Sequence, residues 1–138
     1  MADDVLVNKA ATIERCVHRA REEYAKDAAS FADDVTRQDA AILNVQRACE
    51  AALDMGQHLI RRDRLGLPQS ARDVFALLAA AGRIDAAMSS RLQAMVGYRN
   101  IAVHDYQALQ LEITVAVITR HLDDFLEYSS HLLKEDSK

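Results

Sequence analysis

The sequence predicts an all-α fold: an antiparallel up-and-down bundle of four to five helices, in one domain over residues 1–138. Three observations lead there. Apolar residues recur at spacings of three and four along most of the chain. Helix breakers are scarce, with 4 Gly and 1 Pro. Residues that cap helix N-termini stand just ahead of the apolar stripes. No alternating apolar–polar run is long enough for a strand, and there is no internal repeat.

The first helix is expected over about residues 4–26, with Leu6, Ala10, Ile13, Val17, Ala20 and Tyr24 on one face. The stretch AKDAASFADD dilutes that pattern and reads as a turn. Thr36 with Asp39 has the form of a capping box. It opens a second helix whose stripe is Ile42, Val45, Cys49, Ala52, Gly56 and Leu59. RRDRLGLPQ ends it with charge, Gly and Pro. Ser70 with Asp73 repeats the cap signal for a short third helix, which Gly82 stops. Asp85 caps the fourth, with a stripe of Met88, Leu92, Met95, Arg99 and Ala102. The last helix is expected from about Glu112 to Leu133, with Val115, Ile118, Leu122, Phe125 and Leu132 inward.

Composition narrows the function. A net charge of -4 argues against a general nucleic-acid coat but leaves room for a local basic cleft. Cys16 and Cys49 have no paired spacing and read as buried, reduced thiols. No signal peptide is visible, and no apolar run reaches membrane-spanning length. A cytoplasmic protein with no membrane partner is expected. His18, His58, His121 and His131 have no metal-ligand spacing, and there is no Gly-rich phosphate loop. Neither a metal nor a cofactor is expected.

The segment GYRNIAVHDY carries the chemistry. Arg99 lies on an apolar stripe, and a buried guanidinium keeps its charge. It needs an anion, either a carboxylate of the same chain or a phosphate gripped in bidentate fashion. His104 follows five residues later, about 140° around an unbroken helix. The two converge only if the helix ends near Val103 or if a second subunit supplies the missing partner. Asn100 lies one turn before His104, placed to orient its ring. Such a set suits metal-free RNA cleavage, in which the 2′-hydroxyl is the nucleophile. Histidine moves the protons and arginine steadies the charge on phosphorus. Acid and base together require two histidines, which a two-fold dimer provides.

RNIAVHDY resembles the signature of the HEPN superfamily: Arg, a polar residue, three further residues, then His. The trailing Asp105-Tyr106 is similar to the HepT branch, as are AILNVQRACEAALDMGQHL and GLPQSARDVFALLA, in that order along the chain. The resemblance implies an all-helical homodimer with metal-independent endoribonuclease activity. It implies Arg99 and His104 as the catalytic pair, Asn100 as the polar neighbour, and Tyr106 as the acceptor of AMP. It also implies a partner, an MntA-like nucleotidyltransferase antitoxin that transfers the AMP. Where many relatives carry Gly-Glu on the second helix, this chain has Cys49-Glu50. Glu50 stands either as an acidic partner for Arg99 or as an ordinary surface carboxylate.

Arg61, Arg62 and Arg64 form a basic run at the end of the second helix. They complement the helix dipole, or they dock RNA or the antitoxin. Arg72 and Arg83 are candidates to extend that patch. Two other functions remain open on the residues alone. One is a binding subunit that holds nucleotide or polymer for a nucleotidyltransferase without cutting it. The other is a plain bundle in which Arg99 is salt-bridged.

Overall fold

The computed structural model describes residues 2–138. Among them the chain is helical and has no strand. Helix α1 is Asp4–Ala25, α2 Val35–Asp63, α3 Ala71–Ala80, α4 Ala86–His104, α5 Leu111–Ala116 and α6 Leu122–Asp136. α5 and α6 are one rod, joined by a π-helical stretch over Val117–His121. That interruption departs from the unbroken last helix expected from periodicity. Apolar spacing does not distinguish an α turn from one wider turn that keeps the same face inward.

The expected stripes are buried. Leu6, Ala10, Ile13, Val17 and Ala20 of α1 pack against Val45, Cys49, Ala52 and Leu59 of α2 in a single core. Ile118, Leu122, Phe125 and Leu132 close that core from the last rod, with Phe75 of α3 and Leu92 of α4. Both cysteines are free and buried, and burial pushes the Cys49 thiol up to about 12. A thiol held protonated in this way is core filling rather than a nucleophile.

The caps follow the sequence with one correction. Ser70 Oγ accepts from Asp73 N at 3.1 Å, and Asp85 Oδ1 accepts from Met88 N at 2.7 Å. α2, however, starts one residue before Thr36, capped by Asp34, whose Oδ1 accepts from Arg37 N at 3.1 Å. Asp39 is therefore not spent on a cap. α3 ends in a Schellman turn at Gly82, whose φ of 75° suits glycine. There Arg83 N donates to Leu78 O at 2.9 Å.

The α1–α2 connection is more than a turn. It forms a 3-10 helix, Ala28–Asp33, that buries Phe31 edge-on against Tyr24 with ring centroids 5.1 Å apart. Arg37 organises it from α2. Its Nε donates to Glu23 O at 2.9 Å, and its Nη2 donates to Asp27 O at 2.8 Å and to Tyr24 O at 3.2 Å. These carbonyls lie at and just beyond the end of α1, where intrahelical donors run out. Arg37→Ala leaves them unpaired and should cost about 2 kcal/mol of unfolding free energy, read from urea denaturation. A change below about 0.5 kcal/mol would show that water replaces the guanidinium at no cost.

At the other end, Arg62 bonds Asp3, Asp63 and Asp136 and staples both termini to α2. Asp3 is held down at about 2, chiefly by its hydrogen bond from His58, with Arg62 assisting against partial burial. This stabilisation is in place above the ordinary carboxylate range and is lost as pH falls towards 2.

Candidate active site at the end of α4

α4 carries Arg99 inward towards the middle of α2. Its side chain is only 17% exposed, and Nε lies 3.1 Å from Glu50 Oε1. The oxygen sits off the direction of the N–H bond, so Nε is ion-paired without a hydrogen bond. Nη1 donates to Asn100 Oδ1 at 2.7 Å. Asn100 thus serves the guanidinium rather than the His104 ring one turn on. The reason is local: a charged donor beside an amide oxygen makes the stronger bond. Among the described residues Nη2 has no partner, so one edge of the fork is open to an anion.

His104 is the last residue of α4 and is exposed. The helix is unbroken between Arg99 and His104, so the two side chains leave it in different directions, about 140° apart. Asp105 then ends the helix, and Tyr106 opens a 3-10 turn to Ala108. The Tyr106 hydroxyl donates a hydrogen bond to Asp39 Oδ1 on α2. Partial burial, and then the Asp39 carboxylate, push the phenol up and keep it protonated. Two contacts therefore bind α4 and its exit to α2, with Glu50 against Arg99 and Asp39 against Tyr106. Exposed Leu43 and Val103 lie between them in the two segments. Tyr98, by contrast, is buried and bonds Thr114 Oγ1 at 2.9 Å, a packing role.

A model of the family described as ribonuclease HepT-like matches residues 13–132. The chain belongs to the ribonuclease HepT-like family. It is 49% identical over 126 residues to the mRNA nuclease HepT of Shewanella oneidensis, covering 91% of this chain and 94% of that protein. Among solved structures it matches a tri-AMPylated HEPN toxin of Shewanella oneidensis in complex with its MNT antitoxin. The identity is 48% and the TM-score 0.90, over 94% of this chain and 97% of that one. A crystal structure of a toxin–antitoxin with AMP-PNP matches at 47% identity and TM-score 0.90, over 94% and 98%.

The remaining candidate residues of this HepT-like chain lie away from that site. Arg61 stands about 16 Å along α2 from Glu50, at 1.5 Å per residue. Arg62 is taken by its three carboxylates, and Arg64 (φ 56°) forms the left-handed end of α2. Arg83 pairs with Asp63 at 2.8 Å, and Arg72 lies across Gly97 of α4, so neither extends an open basic patch. His58 faces Asp3 and His131 faces the Arg83 carbonyl. Among the described residues no cluster of His, Cys, Asp and Glu is arranged to hold a metal. An apolar cleft between α4 and α5, lined by Met95, Ile101, Leu109 and Ile113, includes none of Arg99, Asn100, His104 and Tyr106.

One feature of the site is not legible in the sequence. By spacing Asp39 reads as part of a capping box, although a carboxylate near the start of a long amphipathic helix is equally placed to meet a neighbouring element, as it does at Tyr106.

Proposed function

We propose that this chain is the RNA-cleaving toxin of a toxin–antitoxin pair, acting in the cytoplasm as a homodimer without metal or cofactor. The observation that carries the reading is the divergence of Arg99 and His104 on one intact helix within a chain of the HepT-like family. One copy of the motif is half of an acid–base site, and a two-fold brings two copies together. Exposed Leu43 and Val103, at 41% and 44%, provide apolar surface beside the motif for that contact.

In this reading one His104 takes the proton of the 2′-hydroxyl as it attacks phosphorus, and its counterpart protonates the departing 5′-oxygen. The products are a 2′,3′-cyclic phosphate and a free 5′-hydroxyl. Arg99 steadies the phosphorane charge through its open edge. Glu50 and Asn100 are positioning residues that fix the guanidinium. Tyr106 accepts AMP from a nucleotidyltransferase antitoxin, the reaction that the solved complex of the tri-AMPylated toxin supports. A bulky phosphodiester there stands in the way of RNA and repels its phosphates.

The test is incubation of a cellular RNA pool with the unmodified protein in excess EDTA. Cleavage with 2′,3′-cyclic ends is expected. It should stop after treatment with antitoxin and ATP, with an AMP mass gain that Tyr106→Phe does not show. Dependence on added magnesium would overturn the mechanism. Absence of cleavage by protein of confirmed unmodified mass would favour a binding subunit.

A further inference from the structure

A cleft of ≈ 390 Å³ runs between α1 and α2, and its lining includes Glu50, the same carboxylate that pairs with Arg99. In a chain of net charge -4, its walls carry four cations, Lys9, Arg15, Arg19 and Arg47, against two carboxylates, Glu50 and Asp54. Lys9 is held by Asp54 at 3.0 Å, and Arg19 reaches Glu23 only at 3.9 Å. Arg15 and Arg47 are exposed and make no ion pair among the described residues. Arg15, Arg19 and Arg47 line the cleft together with the buried Cys16. Burial raises that thiol's pKa, and Arg15, Arg47 and Arg19 all oppose the shift. Unpaired like charges crowded together cost free energy in a protein that gains nothing from them, and a polyanion relieves that repulsion.

We propose that the α1–α2 cleft is a phosphodiester track, holding the backbone of a single-stranded RNA on one side of the bond cut at Arg99 and His104. This rests on the function proposed above and extends its substrate site. The cleft is a furrow between two packed helices, with the scale of a small-ligand pocket, and suits one strand rather than a duplex. No aromatic side chain lines it, so no base-stacking platform is present. Its contacts are to phosphate, which positions the strand without reading its sequence.

The experiment measures the dissociation constant of a labelled single-stranded RNA over a range of salt, in the His104→Ala background so that substrate survives. Arg15→Gln with Arg47→Gln is compared with Arg120→Gln with Lys134→Gln, an equal change of net charge on the last rod. The cleft pair is expected to weaken binding about tenfold at low salt. It should reduce the slope of log affinity against log salt by about 1.4, roughly 0.7 for each phosphate no longer neutralised. The control pair is expected to change neither. An unchanged slope, or an equal fall in the control, would overturn the track. So would a loss confined to antitoxin binding, which would assign the cleft to that partner. Wild-type protein that cuts while the cleft variants bind normally would refute only the track. Wild-type protein that fails to cut refutes the nuclease reading, and the binding comparison still decides the cleft.

Discussion

His104→Ala is expected to lower the single-turnover cleavage rate by at least about 10⁴, the upper end of the range for one positioned acid or base, because two His104 rings serve one composite site. That loss corresponds to about 5 kcal/mol of transition-state stabilisation. Folding should be nearly untouched. His104 is exposed at the end of α4, and its side chain makes no hydrogen bond or ion pair among the described residues. Its removal should stay within about 0.5 kcal/mol in a urea melt. A chemical defect is therefore separable from a structural one. Mixed dimers sharpen the test. If both rings are needed, activity falls as the square of the wild-type fraction when wild-type and His104→Ala chains are co-refolded. A linear fall would mean that each protomer cuts alone, and the dimeric site would be wrong.

Gly56→Ala is expected to destabilise the fold by about 2–3 kcal/mol, lowering the melting temperature by about 10 °C. Helix propensity alone predicts the opposite sign, since Ala in a helix interior is better than Gly by about 1 kcal/mol. Packing wins because the glycine is where α2, α3 and α6 approach. An added Cβ would stand 2.7 Å from Val74 Cγ1, 2.9 Å from Tyr128 Oη and 3.1 Å from Leu78 Cδ1. Tyr128 cannot retreat freely, because its hydroxyl donates to the Ala52 carbonyl at 2.8 Å in a buried bond. Chemical denaturation should show a lower midpoint with an unchanged slope. A stabilised variant would mean that this three-helix crossing has slack.

The core was legible because it is periodic. Val45, Cys49, Ala52, Gly56 and Leu59 report their common face through spacing alone, and all five are buried. The Ser70 and Asp85 caps were legible because a cap is a contact within one turn. The same rule misled at Thr36, where a second candidate, Asp34, lay two residues earlier with an equally suitable side chain. The turn before it was underread. Phe31 is buried there only because Tyr24 and Arg37, on two different helices, close over it.

The motif shows the same division. Arg99, His104 and Tyr106 could be picked out because their types and intervals are local, and the angle between the first two follows from helix geometry. Glu50 stood undecided between a surface role and a partner role until α2 and α4 were placed side by side, and it lies 3.1 Å from Arg99. The partner of Asp39 is hidden for the same reason, and so is the cleft lined by Arg15, Arg19 and Arg47, which come from two helices.

What the sequence by itself determined was the class of fold, the inward face of nearly every helix and the chemical inventory at the end of α4. These follow from side-chain period and backbone capping, which act over a few residues. What only the tertiary structure decided was which charges meet: Arg99 with Glu50, Tyr106 with Asp39, and four cations across one furrow. Such pairs depend on the register between helices, and register is set by how side chains of distant segments interlock, a property that no local spacing encodes.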